Sequence, residues 1–376
     1  MPSYSGVWTL QAQMQAVAAG TWTGLPGLFA WGRNDNGQLG LGTAVDESSP
    51  VQVGALTTWS KAANGYNFSL AAKTDGTLWS WGANGSGQLG VGNTVSRSSP
   101  VQIGALTSWY QIAIGQQFCL SLKTDGTLWS WGYNTQGQLG LGDTAPRSSP
   151  IQIGALTTWS QIAAGDLHSL AIKTDGTMWT WGSNAFGRLG LNDIVYRSSP
   201  VQIGALTTWS KIAAGGNGGL AIKTDGTLWS WGFNGTGMLG LNDVVDRSSP
   251  VQVGALTTWS QVAAGNQSNL AIKTEGTLWS WGYNNNGQLG LNDIANRSSP
   301  VQVGALTTWY QVAASRRHTL SIKTDGTLWS WGLNSNGRLG LNDTANRSSP
   351  VQVGLLTTWS QLQKMPSANS CLAITG

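Results

Sequence analysis

Side chains able to act as acid, base or nucleophile are scarce in this chain of 376 residues. It has two histidines, His168 and His318, and two cysteines, Cys119 and Cys371. A histidine serves as a general base when an acid orients it and a nucleophile lies within its reach. Neither histidine lies in a sequence phase that carries a recurring acid or nucleophile, so each reads as a locally hydrogen-bonded loop residue. Two cysteines are too few for a zinc finger or a disulfide scaffold. No Gly-rich stretch leads into Gly-Lys-Ser/Thr and a helix, so no phosphate cradle for a nucleotide is expected. These residues point away from an enzyme and call for no cofactor or metal.

Charged side chains are 10% of the chain, against about 25% in an average soluble domain. They recur in register. Lys73, Lys123, Lys173, Lys223, Lys273 and Lys323 form one series, with Asp75, Asp125, Asp175, Asp225, Glu275 and Asp325 two residues on. Arg97, Arg147, Arg197, Arg247, Arg297 and Arg347 form another, and Asp193, Asp243, Asp293 and Asp343 precede their arginines by four. A ring of cations could bind an anion. Because the opposite charge repeats as faithfully, local ion pairs around solvated turns are the expectation, at ~0–1 kcal/mol each. A net charge of +4 is small for this length, so no nucleic-acid partner is expected. No apolar run approaches the ~18 residues of a membrane span.

The charges recur because the chain does. The pattern W-G-x-N-x-x-G-x-L-G starts at Trp31, Trp81, Trp131, Trp181, Trp231, Trp281 and Trp331, always 50 residues apart. A period near 50 suits a propeller blade. In the unit that starts at Trp159, 160–165 reads as a small-residue strand A and 169–173 as strand B. Asp175-Gly176 predicts a tight type I′ hairpin turn. Strand C follows at 178–181, with Trp179 and Trp181 on one face, and strand D at 200–203, where Pro200 suits an outer edge. One loop phase reads Gly42, Gly92, Gly142, Asn192, Asn242, Asn292 and Asn342, which predicts left-handed backbone.

The fold expected is all-β: a seven-bladed β-propeller of four-stranded blades. The last blade takes strands A and B from the C-terminus (361–363, 371–374) and strands C and D from near the N-terminus (28–31, 50–53). Residues 27–376 then form the ring and residues 1–26 an arm outside it.

The unit resembles the RCC1 repeat family. The resemblance rests on Lys-Thr-Asp-Gly-Thr, on Trp-Gly-x-Asn-x-x-Gly-x-Leu-Gly, and on Ser315-Arg316-Arg317-His318-Thr319-Leu320, close to Gly-x-x-His-Thr-Leu. It covers about residues 27–376. Guanine-nucleotide exchange by the family's name-giver is associated with a wedge-like insertion in one blade; the constant spacing here leaves no room for it. Ultraviolet-sensing plant members carry Gly-Trp-Arg-His-Thr in the A–B loop. Here Arg316 stands at the place of that tryptophan, and no A–B loop contains a tryptophan.

The copies differ mainly in two loops. The A–B loop offers Tyr66, Phe68, Gln116, Phe118, Asp166, His168, Asn217, Asn266, Gln267, Arg316, Arg317 and His318. The C–D loop offers Arg33, Tyr133, Phe233, Tyr283 and, further along, Tyr196. Strand parity puts both loops on one face, the top, and the invariant B–C and D–A links on the other. Tyr, Phe, Asn, Gln and Arg are common at recognition surfaces. The expectation is therefore a non-enzymatic binding or structural propeller whose top face takes a surface glycan or a protein. Residues 1–26 read as a docking arm for an assembly partner. Gly6-Val7-Trp8-Thr9-Leu10 with Gln13-Met14-Gln15-Ala16 is similar to the openings of tail and structural proteins of marine bacteriophages. That likeness implies a virion or extracellular-surface location. The alternative is an exchange-factor-like or other intracellular protein-interaction propeller.

Overall fold

A computed structural model describes residues 27–55, 58–362 and 368–376. The arm expected over residues 1–26 lies outside the described residues. The remainder is a closed ring of seven four-stranded antiparallel sheets. The first blade is Trp59–Asn64, Phe68–Lys73, Leu78–Gly82 and Arg97–Gln102, and blades two to six repeat it at the 50-residue period. In the seventh, Trp359–Leu362 and Ser370–Thr375 pair with Gly27–Gly32 and Glu47–Gln52, so both termini close one sheet. No helix among the described residues is long and apolar enough to cross a membrane.

Strand D differs from its expected bounds. In the third blade it runs from Arg197 to Gln202, not from Pro200. Its pairing goes from Gly182↔Arg197 directly to Thr180↔Val201, so the residues between are out of register. The irregularity accommodates a proline that has no N–H to give. The B–C turn also differs. Asp175 is not left-handed, as a type I′ turn would need; only Gly176 has positive φ, at 77°. Gly176 N–H donates to the Lys173 carbonyl (3.0 Å or less across the series; 2.9 Å here), and Lys173 N–H to Thr177 (3.0 Å). This is a three-residue loop with glycine in the bulge position. An alanine Cβ there would lie 2.1 Å from the Thr207 carbonyl oxygen.

The hydrophobic core is divided among the blade interfaces. One cluster joins Phe118, Leu120, Leu128 and Ile153 of the second blade to Trp159, Ile162, Ala171 and Trp181 of the third. Trp181 is fully buried and its indole N–H donates to the Gln138 carbonyl of the preceding blade at 2.9 Å. All seven strand-C tryptophans at this phase make that bond, including Trp31 to Arg338 across the closure. Each buries ~150–250 Å² while satisfying its one polar atom.

The motif asparagine holds the C–D loop. Asn184 accepts from Leu189 N–H at 2.9 Å and donates to the Asp193 carbonyl at 3.0 Å. The phase expected to be left-handed is so: Gly42 has φ 76° and Asn192 φ 62°. The Asn192 N–H then reaches the Ser248 carbonyl of the next blade at 2.8 Å.

On the bottom face the lysines are not mainly ion-paired, contrary to the expectation. Lys173 Nζ sits 3.6 Å from the Trp179 ring centroid and 5.1 Å from that of Trp159. Among the described residues only Lys273 comes within ion-pair distance of an acid, 4.0 Å from Glu275. Asp175 instead accepts from Thr177 N–H and Oγ1 at 2.9 and 2.6 Å. The threonine oxygen in turn accepts from the Trp179 indole at 2.9 Å. A cation over an indole face is favourable without a carboxylate. The arginine series does pair: Arg197 with Asp193 and Arg247 with Asp243, both at 2.6 Å.

Asn192→Gly should leave stability within ~0.5 kcal/mol of wild type, because glycine adopts this φ without strain. Asn192→Ala should cost about 1 kcal/mol, from the Cβ penalty of left-handed backbone. Urea unfolding followed by tryptophan fluorescence measures both.

Candidate functional site

The end of each strand A approaches the axis, and in the first five blades glycine follows it where there is little room for a side chain; the sixth blade has Ser315 there, buried and donating to the Ala368 carbonyl at 2.7 Å. A Cβ on Gly165 would lie 2.3 Å from both the Gly215 carbonyl oxygen and the His168 ring. The next residue of each loop turns over the rim. Tyr66 N–H donates to the Gln116 carbonyl at 3.3 Å, Gln116 N–H to Asp166 at 3.2 Å, and Asn266 N–H to Ser315 at 3.4 Å. These bonds draw Tyr66, Gln116 and Asp166 together, and Asn266 towards the residue before Arg316, along one inner rim. Side chains also meet across it. Asn266 Nδ2 donates to Asp166 at 2.8 Å, spanning the fourth blade, where Gly216 has no side chain to intervene. The Arg316 guanidinium lies 5.7 Å from the Tyr66 ring centroid, spanning the seventh.

A second ring adjoins the first. Tyr133 N–H donates to the Gln117 carbonyl and Tyr283 N–H to Gln267, each at 2.9 Å, and Phe233 N–H donates to Asn217 at 3.0 Å. The A–B and C–D loops therefore share one face, as strand parity requires. Arg33, Tyr133, Phe233 and Tyr283 are half-buried beside the rim, as are Asn217 and Gln267; Arg317 is exposed. Arg33 is held by Asp35 at 2.5 Å. Tyr196, 49% exposed, stands apart on the outer part of its loop.

Four expected face residues are corrected. Phe68, Phe118, His168 and His318 are buried at the first position of strand B, where a ligand on the face does not reach them. Period-2 alternation turns this position into the blade interface. The histidines occupy the place of the phenylalanines and are neutral for that reason. Burial pushes the His168 pKa down to about 3, with the Arg188 charge acting in the same direction. The tertiary fold also brings His318 Nε2 to 3.0 Å from Cys371 Sγ. Burial holds the His318 pKa well below its usual value and raises that of the Cys371 thiol. A dyad that is fully covered and uncharged has neither access nor a thiolate, and does not make a nucleophile.

One phase at the site was missed. It reads Gln38, Gln88, Gln138, Arg188, Met238, Gln288 and Arg338. Its carbonyl receives the buried indole of the next blade, while its side chain points to the rim: Arg188 Nη1 donates to the Gly216 carbonyl at 3.2 Å. Its variation inside the repeat motif was the available signal. Phe186 was missed as well. It is 46% exposed, has φ 61°, and lies edge-on to Phe233 at 5.1 Å.

An axial cavity of about 450 Å³ runs beneath the rim. Its wall is made of Ala, Ile and Val from the strands A, and Gln161 and Gln261 use their amides to bridge neighbouring blades at 2.5 and 2.6 Å. The copies differ little there, so the variation lies on the rim and not in the channel.

The chain matches the family model of the RCC1-like domain over residues 7–259. It matches that of the regulator of chromosome condensation (RCC1) repeat over 275–322 and 325–363. No curated protein matches it in sequence. Among solved structures, human WBSCR16 is 22% identical with a TM-score of 0.84, covering 93% of this chain and 98% of that one. Yeast RCC1 (Prp20), solved bound to Kap60, is 18% identical with a TM-score of 0.82, covering 100% and 93%. Prp20p from Saccharomyces cerevisiae, described with its binding to Gsp1p and histones, is 21% identical with a TM-score of 0.80, covering 94% and 92%. At these identities the likeness establishes the fold.

The buried histidines generate a pH dependence. A group whose folded pKa is depressed to about 3 from 6.5 takes up its proton more readily in the unfolded chain. Stability is therefore unaffected above pH 6.5 and is lost progressively as pH falls towards 3. His168→Phe, which copies Phe118 of the neighbouring blade, should reduce that loss by a few kcal/mol at pH 4, since each pKa unit corresponds to ~1.4 kcal/mol. Thermal unfolding of both proteins between pH 7 and 4 checks it.

Proposed function

The chain belongs to the RCC1-like family, and from that premise we propose that it is a non-enzymatic protein-interaction propeller whose inner rim and adjoining C–D loops meet a protein partner. One observation carries the reading. The rim is built on a repeated backbone, with the same loop-closing hydrogen bond in each of the first six blades, from Gly65 N–H to the Phe68 carbonyl through to Ser315 N–H and His318, yet its side chains differ at each of them: Tyr66, Gln116, Asp166, Gly216, Asn266 and Arg316. On the opposite face the Lys-Thr-Asp-Gly turn changes only once, to Glu275. A surface loop free to drift would vary on both faces, whereas a recognition surface varies on one.

The relatives support a protein as the ligand class, since the yeast structure contains Kap60 and the yeast protein is described as binding Gsp1p and histones. A glycan ligand, expected from the loop residues, and a virion or surface location, expected from the opening residues, draw no support from them. The alternative of an intracellular interaction propeller does. Nucleotide exchange is the weaker form of that alternative, because the spacing of the repeat motif is a constant 50 residues and no blade carries an inserted wedge among the described residues. The division into an arm, 1–26, and a ring, 27–376, is part of this proposal.

A photo-crosslinking side chain placed at Tyr133, and at Thr174 on the opposite face as control, tests the proposal in cell extract. Protein adducts are expected from position 133 alone. They should fall at least tenfold when the residues at the Tyr66 and Asn67 phases of every blade are changed to Gly216-Asn217, leaving the buried third position untouched. Equal adducts from both faces, or adducts indifferent to the loop change, would sink the reading. Titration with a nucleotide-loaded small GTPase separates the exchange-factor form.

A further inference from the structure

The third and sixth blades carry arginine where the others have glutamine or methionine: Arg188 and Arg338. Both are buried, at 5% and 4% exposure. Their surroundings are opposite in sign. Burial acts against the charge of Arg188, and the nearby Asp166 carboxylate opposes that effect. The residue at the Asp166 phase in the sixth blade is Arg316. Burial acts against the charge of Arg338 too, and Arg33, Arg317 and Arg316 repel it; the one attraction is from Cys371, whose thiol burial keeps neutral.

Arg338 has no acidic partner. Its acceptors are Asn369 Oδ1 at 3.2 Å, Ser335 Oγ at 3.1 Å and Asn336 Oδ1 at 2.7 Å, all uncharged. Its buried Nε finds no acceptor among the described residues. All 16 Asp and Glu residues of the chain are described, and none pairs with Arg316, Arg317 or Arg338. The carboxylates beside Arg33 are Asp35, which pairs with it, and Asp46, which accepts from Asn336 at 2.9 Å.

Backbone hydrogen bonds tie together the segments that carry these arginines. Arg33 N–H donates to the carbonyl of Asn369, whose side chain accepts from Arg338. Leu333 N–H donates to the Arg317 carbonyl at 2.9 Å. The Tyr66 ring lies against Arg316 at 5.7 Å. A buried cation with no counter-charge is strongly unfavourable. The guanidinium fork fits oxyanions, two bonds at a time.

We propose that Arg316, Arg317 and Arg338, with Arg33 at the margin, form a binding site for a phosphate-type dianion on the rim where the sixth, seventh and first blades meet. Four guanidinium groups against two carboxylates leave a surplus that a dianion neutralises and a single carboxylate does not. The site is independent of the protein-partner reading, because a free anion reports on it without any partner.

Calorimetric titration of the full chain with inorganic phosphate, against sodium chloride at matched ionic strength, tests it. Saturable binding at one site per chain is expected, with a rise in Tm. Arg316→Asp installs the arrangement of the third blade. It should weaken phosphate at least tenfold without lowering the Tm of the unliganded protein. Arg338→Gln, which copies Gln288, should weaken phosphate to a similar degree. Phenyl phosphate distinguishes an ester-borne group from the free ion, and either binding supports the site. No saturable phosphate binding by the wild type, undiminished binding by Arg316→Asp, or benzoate binding as tightly as phenyl phosphate would overturn the proposal.

Discussion

The ring depends on a buried indole whose N–H is satisfied by the blade before it. Trp181 illustrates the arrangement. Its ring fills the interface between two blades, and its single polar atom finds the Gln138 carbonyl at 2.9 Å. Left unpaired, that N–H would cost about 1–3 kcal/mol at each site. The carbonyl often takes a second donor from the same neighbour, as Ser169 Oγ does at 2.8 Å. Glycine is required where the indole passes: a Cβ on Gly140 would lie 2.7 Å from Trp181 Nε1. Much of the motif W-G-x-N-x-x-G-x-L-G thus describes one inter-blade contact and the asparagine that anchors its loop.

This contact also separates architecture from recognition. The residue at the Gln138 phase contributes its carbonyl to the fold and its side chain to the rim. Gln, Met and Arg all supply the same carbonyl, so the side chain is free to change without disturbing the ring. The same holds one turn inward, where backbone hydrogen bonds join Tyr66, Gln116 and Asp166 from blade to blade. Variation at these places has little structural cost, and the two arginines of this phase show how far it can go. One is compensated by Asp166, and the other faces Arg316.

The bottom face shows why a regular charge pattern is a poor guide to pairing. Lysine and aspartate two residues apart suggest an ion pair, yet the aspartate serves as an acceptor within its turn and the lysine lies over two indoles. The hairpin geometry sets both outcomes. The acid faces the N–H and hydroxyl of the residue after the glycine, and the lysine, ending strand B, faces strands A and C, which carry the tryptophans. The Arg–Asp pairs were legible because both partners lie in one loop, four residues apart.

The amino-acid sequence by itself determined the period, the four strands of each blade, the closure by both termini and the left-handed phase at Asn192. These follow from local rules: alternation, turn residues, and the tolerance of glycine and asparagine for positive φ. It also located the two variable loops, and parity alone placed them on one face. Tertiary structure decided which loop residues are available there. Phe68, Phe118, His168 and His318 are adjacent in sequence to the rim but turn into the blade interface, because strand B begins one residue earlier than its pattern suggests. It also decided what meets across the axis. Asp166 and Asn266 are 100 residues apart, Arg316 and Tyr66 are 250 apart, and Arg338 lies in a different loop from Arg316 and Arg317 and 305 residues from Arg33. Such encounters are fixed by the angle through which each blade is rotated from the last, and no local pattern in the chain encodes that angle.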